Sequence, residues 1–230
     1  MNDQLRSLIP APVMSTTDQV FDAMYRAIIK LDLPPGTKVS EADISKQLGV
    51  SRQPVRDAFF RLSEKGFLLI RPQRATLITK ISEKGVRDAH FVREALEAAC
   101  VIEATKRATS ADLTELEQLI EDQQRAVDTR DREKFHDLDE TFHKTICEIA
   151  GHGHVWTLIR EKKAQMDRVR FLTLSSDSQL AKDEHVRLFD AIRSRDTELA
   201  EKMLRSHVSR ILTVLPRIRV EHAQYFEDLE

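Results

Sequence analysis

Residues 34–78 read PPGTKVSEADISKQLGVSRQPVRDAFFRLSEKGFLLIRPQRATLI, and the order of breakers and apolar steps in this run decides the fold. Pro34-Pro35-Gly36 forces an end on any helix before it. Ser40-Glu41-Ala42-Asp43 is a capping-box pattern for a short helix with Ile44 and Leu48 on its apolar edge, and Gly49 can take the left-handed conformation that ends it. Ser51 is placed to cap a second helix. There Val55, Ala58, Phe59 and Leu62 fall at i, i+3, i+4 and i+7, Pro54 sits in the first turn, where its missing N–H costs little, and Gly66 closes the element. Residues 67–71 and 76–79 then read as two strands around Pro72-Gln73-Arg74-Ala75, a hairpin with a basic tip. A short helix, a glycine turn, a second helix and a hairpin make a winged helix-turn-helix.

Upstream, Thr16 followed by Gln19 is another capping-box pattern, and Val20, Met24, Ala27, Ile28 and Leu31 keep helical spacing up to Pro34. Residues 1–15 read as a flexible arm, residues 16–81 as the winged domain and residues 82–230 as a second domain. Charge divides the same way. Residues 1–80 carry 12 Lys and Arg against 8 Asp and Glu, whereas the remainder is acidic. Within residues 44–80 eight basic side chains face only Asp57 and Glu64, which suits a polyanion such as nucleic acid, or simply a solvated basic surface. Arg52 and Arg56 lie one turn apart at the start of the second helix, so their guanidinium forks can reach phosphates or guanine edges; Gln53 can read a base edge. The free N–H groups of that helix end also favour a phosphate.

The segment resembles the winged-helix DNA-binding domain of GntR-family bacterial transcription regulators, whose Gly-Val-Ser-Arg-x-Pro-Val-Arg hallmark stands here at Gly49–Arg56. The resemblance implies that Ser51, Arg52, Gln53 and Arg56 contact double-stranded DNA, with Arg74 reaching the minor groove or its phosphates from the wing tip. A helix-turn-helix that binds only protein is the alternative.

The second domain has only one of the seven prolines that matters to it, Pro216, and can form long helices. Spacing predicts six, over 83–107, 111–129, 131–150, 153–175, 178–194 and 196–220, with breaks near Ser110, Gly151 and Ser175-Ser176. The expected fold is therefore mainly α, a winged helix followed by an all-helical bundle. On the third of these helices Phe135, Leu138, Phe142, Ile146 and Ile149 mark the core stripe, and Asp139 and His143 lie along it at i and i+4, within reach of one ion. His185 shares a face with Leu188, Phe189 and Ile192, and His207 one with Met203, Leu204, Ile211 and Leu215. One such histidine is commonly a satisfied core residue. Three, with an aspartate, are hard to satisfy separately and suggest an Asp-His-His-His metal site. Arg93 falls on the stripe of Val86, Ala89, Leu96 and Cys100, with Glu97 one turn away as its ordinary partner. Cys100 and Cys147 sit in apolar patterns and read as small hydrophobes.

Residues 83–215 are similar to the FadR-type FCD effector domain, and the count of six helices resembles its VanR-like variant. The resemblance implies that Asp139, His143, His185 and His207 are metal ligands and that Arg93 and Arg170 grip the carboxylate of a small organic-acid effector. Imidazole-rich ligation suits Zn²⁺, Ni²⁺ or Fe²⁺ better than Mg²⁺ or Ca²⁺. His90, His136, His154 and His222 match no ligand position and read as surface or structural.

These readings describe a homodimeric, ligand-responsive repressor acting on a palindromic operator. The competing readings are a metallohydrolase fused to a DNA-targeting domain and a sensor of the metal itself. Hydrolysis needs a separate general base, and Glu140, about 100° around the helix from Asp139, is expected to face away. At 32% charged and 41% hydrophobic the chain is too apolar for disorder, and no run reaches the roughly 18 apolar residues of a membrane span. Without an apolar signal segment, a cytoplasmic location is expected.

Overall fold

In the computed structural model the chain forms two compact units, one up to Thr79 and one from Lys80 onward, and residues 14–71 and 75–228 are described, Ser175 and Ser176 by backbone alone. Most of the expected N-terminal arm, and the wing tip with Arg74, lie outside the described residues.

The first unit opens with α1 (Thr16–Ile29). Its cap is Ser15, not Thr16: the Ser15 hydroxyl accepts from the Asp18 amide and donates to the Asp18 carboxylate, while the Gln19 side chain turns back to the Met14 carbonyl. The shorter aspartate completes the reciprocal pair one residue earlier. The helix also stops short of Leu31, which takes a left-handed φ of 65°. After β1 (Lys38–Val39), α2 (Glu41–Leu48) is capped by Ser40 and ended by Gly49 at φ 67°. Then α3 (Arg52–Glu64) buries Val55, Ala58, Phe59 and Leu62 against the buried face of α1, so the apolar period of residues 55–62 is the packing face. Strands β2 (Leu68–Leu69) and β3 (Thr76–Ile78) form the wing hairpin, and the sheet order is β1-β3-β2, all antiparallel, with Lys38 opposite Leu77 and Leu68 opposite Ile78. The two-residue β1 carries no alternation and was invisible in the sequence.

The second unit is helical: α4 (Glu83–Arg107), α5 (Ser110–Asp128), α6 (Arg132–Ile149), α7 (Gly153–Lys162), α8 (Ala164–Arg193) and α9 (Thr197–Glu221), then a 3-10 turn at Ala223–Tyr225. The break expected at Ser175-Ser176 does not exist. α8 runs through those serines, and the chain bends at Lys163 instead. Serine costs a packed helix only a few tenths of a kcal/mol, whereas the buried Lys163 ammonium is held by Asp167 one turn on and by Glu140 of α6, a tertiary contact that no local pattern signals. Helix α4 packs on α6, α7, α8 and α9, and α5 covers α6 and α8. A parallel bridge of Ile81 with Phe226 ties the end of the chain to the start of this unit. One apolar cluster gathers Val101, Phe142, Ile159, Leu188 and Leu204, and another gathers Val86, Val169, Ile211 and Leu215. Both draw on α4, α8 and α9, the helices that, with α6, carry the inward polar residues.

Candidate metal centre

Asp139 and His143 lie one turn apart on α6, His185 on α8 and His207 on α9, and all four are buried. One ligand atom from each lies within 4.8 Å of all the others. His207 Nε2 stands 3.2 Å from His143 Nε2 and 3.2 Å from His185 Nε2, and His185 Nε2 is 3.6 Å from Asp139 Oδ1. Two nitrogens bound about 2.0–2.1 Å from one ion at tetrahedral or octahedral angles are roughly 2.8–3.4 Å apart, so these spacings fit ligands of a common cation.

The outer ring nitrogens decide the tautomers. His143 Nδ1 is 2.7 Å from Glu97 Oε2, His185 Nδ1 is 2.7 Å from Gln123 Oε1 and His207 Nδ1 is 2.7 Å from Glu184 Oε2. With Nδ1–H of His185 and of His207 given to oxygen acceptors, their two Nε2 atoms present lone pairs to the centre; His143 Nδ1, though close to Glu97, makes no aligned hydrogen bond. Asp139 adds to this concentration of acceptors: neither oxygen accepts an aligned hydrogen bond, although Oδ1 is 2.6 Å from Arg170 Nη2. Burial and the neighbouring imidazoles hold His185 and His207 well below the ordinary histidine range. Burial would raise Asp139, but Arg170 and the imidazoles outweigh it and keep the carboxyl well below its ordinary value. Neutral imidazoles and an ionised carboxylate are the forms that ligate a metal.

The arginines take their expected sides. Arg93 is buried on α4 with Nε 2.5 Å from Glu97 Oε1, so Glu97 joins Arg93 to His143. Arg170 on α8 is paired with Asp139. Burial would lower both guanidinium pKa values, yet the facing carboxylates, Glu97 for Arg93 and Asp139 for Arg170, raise them. Both arginines line a cavity together with His207 and keep a buried nitrogen without a hydrogen-bond partner, Nη2 of Arg93 and Nη1 of Arg170.

Glu140 does not face away. It is half-buried and accepts from Lys163 Nζ at 2.5 Å, with Arg170 Nη1 at 3.9 Å. Angular position on α6 alone could not reveal this, because Lys163 reaches it from the junction of α7 and α8. Four more partners lay outside the sequence reading: Gln123, Glu184, Lys163 and Arg210. Gln123 had a signal, since it continues the buried stripe of Leu116 and Ile120, and Glu184 is adjacent to His185. Of the other histidines, His90 bonds Ser209 at 3.0 Å and His136 is buried beside Glu140 and Asp167.

In the first unit Ser51, Arg52, Gln53 and Arg56 are all exposed at the start of α3. Ser51 occupies the cap position, but its hydroxyl makes no capping bond, contrary to the expected role, which leaves it for another acceptor or donor. Gln53 donates to Asp57 at 2.9 Å, and Arg56 lies 3.4 Å from Glu41. Exposed pairs of this kind contribute about 0–1 kcal/mol and exchange readily for a phosphate or base.

Among known proteins, the family described as bacterial regulatory proteins, gntR family, matches residues 16–78, and the FCD domain matches residues 88–210. The chain is 33% identical over 219 residues to the HTH-type transcriptional repressor RspR of Escherichia coli, covering 94% of this chain and 96% of that protein. It is 30% identical over 203 residues to a probable D-xylose utilization operon transcriptional repressor of Paenarthrobacter nicotinovorans, covering 86% and 88%. Among solved structures, E. coli McbR/YncC superposes with a TM-score of 0.76 at 22% identity over 89% of this chain and 98% of that one.

Proposed function

This chain belongs to the gntR family of bacterial regulatory proteins, with an FCD domain behind its DNA-binding domain, and from that premise we propose that it is a transcriptional repressor controlled by a small organic acid. In this reading α3 enters the major groove with Ser51, Arg52, Gln53 and Arg56, Arg74 of the wing adds a contact, and a homodimer reads the two halves of a palindromic operator. Asp139, His143, His185 and His207 hold a divalent transition ion, Zn²⁺, Ni²⁺ or Fe²⁺. The ion would supply positively charged coordination positions for a carboxylate. Arg93 and Arg170 bind that carboxylate from the side through the N–H groups the protein leaves unbonded. Gln123 and Glu184 fix the tautomers of His185 and His207, Glu97 stands beside His143, and Arg170 holds Asp139 ionised.

The observation that carries this reading is the convergence of three Nε2 atoms and a carboxylate in a buried site where the outer nitrogens of His185 and His207 are hydrogen-bonded to acceptors and that of His143 lies 2.7 Å from Glu97. The relatives that carry the word repressor in their names support the direction of control. A hydrolytic role is disfavoured by Glu140, the carboxylate beside Asp139, because Lys163 holds it.

The test is made on protein purified without chelator. Elemental analysis is expected to find about one divalent ion per chain. His185→Ala is expected to lose the ion and the response to organic acids while still binding operator DNA. Wild-type protein that takes up no Zn²⁺, Ni²⁺ or Fe²⁺, or a His185→Ala protein that still responds normally, overturns it.

A further inference from the structure

The cavity beside the metal centre has a third arginine. Arg93 comes from α4, Arg170 from α8, and His207 and Arg210 from α9, with Thr173 and Asp177 on the α8 side. Each guanidinium leans chiefly on one acid: Arg93 on Glu97, Arg170 on Asp139, with Glu140 also 3.9 Å from its Nη1, and Arg210 through Nε on Glu184 Oε2 at 3.3 Å. Each also keeps one buried nitrogen without a hydrogen-bond partner, which for Arg210 is Nη1. A buried donor left unbonded is costly, and three in the wall of one cavity point to ligand oxygens as their acceptors. Asp177 has a partner of its own.

The three arginines are not equivalent. Arg93 and Arg170 bind the carboxylates that touch His143 and His185, the inner side of the centre. Arg210 binds Glu184, the acceptor of His207 Nδ1, and lies three residues beyond His207, about 4.5 Å further along α9. One carboxylate held by the inner pair therefore leaves Arg210 Nη1 still unbonded.

We infer that Arg210 is a second anion-binding point of this cavity and that the effector is a short acid bearing two anionic groups, one for Arg93 and Arg170 and one for Arg210. The inference rests on the reading that an organic acid binds at the metal centre. A guanidinium favours an anionic oxygen over a hydroxyl, because the hydrogen bond is charge-assisted, so Arg210 selects the dianion over the monoacid of the same length.

Matched acids test this by calorimetry on Zn²⁺-loaded full-length protein: succinate against butyrate, glutarate against valerate, and malate against 2-hydroxybutyrate. The wild type is expected to bind the dianion of a pair about tenfold more tightly or better. Arg210→Gln is expected to reduce that ratio to near one chiefly by weakening the dianion, and Arg210→Lys, which keeps the charge, to recover part of it. Equal affinity within every pair in the wild type overturns the inference alone, as does an undiminished preference in Arg210→Gln. If no acid of either kind binds the metal-loaded protein, the organic-acid reading falls and this inference falls with it.

Discussion

Two clusters of histidine and carboxylate lie side by side on α6 and α8, and they have solved the same electrostatic problem differently. His136 and Glu140 on α6 meet Asp167 on α8; one turn further along α6, Asp139 and His143 meet His185 and His207. In the first cluster the chain supplies its own cation. Lys163 is fully buried, with Nζ 2.5 Å from Glu140 and 2.6 and 2.7 Å from the two Asp167 oxygens, and it stands over the Trp156 ring. In the second, Arg170 reaches Asp139 from the side, and the space where the three Nε2 atoms converge has no cationic side chain among the described residues. One holds a single imidazole with two carboxylates, the other three imidazoles with one carboxylate. What also separates them is whether a lysine from the α7–α8 bend enters.

The largest expected effect comes from taking the resident cation away. Lys163→Met leaves Glu140 and Asp167 buried without their ammonium, and breaking a buried pair from one side costs about 3–5 kcal/mol. Urea unfolding measures it, and Lys163→Met combined with Glu140→Gln and Asp167→Asn is expected to regain part of the loss. A single variant as stable as the wild type would remove the contrast between the clusters.

A smaller effect sharpens the other side. Gln123→Leu deprives His185 Nδ1 of its acceptor and frees the ring to change tautomer, so metal affinity is expected to fall about 10–100-fold, with a far smaller change in the stability of metal-free protein. Competition with a chromogenic chelator reads this directly. Unaltered affinity would mean that the Gln123 contact does not orient the ring.

The smallest effect is in pH. Burial lowers the pKa of His136, and burial with neighbouring imidazoles lowers those of His185 and His207. A folded pKa below the unfolded one means that the unfolded chain binds protons first. Stability from these groups is therefore complete above about pH 6.5 and is lost as pH falls from there toward the depressed folded values. Metal-free protein is expected to weaken over that window. Saturating Zn²⁺ competes with protons at His185 and His207 and is expected to move their part of the loss to lower pH, leaving that of His136. Unfolding curves between pH 7.5 and 5, with and without Zn²⁺, test whether the two parts separate.

The inward placement of the four candidate ligands was legible because each depends only on its own helix. Asp139 and His143 sit on the period of Phe135, Leu138, Phe142 and Ile146, and His185 and His207 sit on equally apolar stripes, so burial of each followed from spacing. The same reasoning read Glu140 as outward-facing, since a helical wheel takes no account of neighbouring helices. It also placed a break at Ser175-Ser176 and saw none at Lys163.

By itself, then, the sequence determined the winged helix, the helical bundle and which polar residues turn inward, because apolar period, caps and breakers act within a few residues along the chain. Tertiary structure alone decided which inward residues meet: Gln123 behind His185, Glu184 behind His207, Lys163 within one cluster, and Arg210 on the wall beside the other. These contacts join residues up to dozens of positions apart. Their energies depend on burial and on a partner's charge a few ångströms away, quantities that arise only once α4, α6, α8 and α9 have packed.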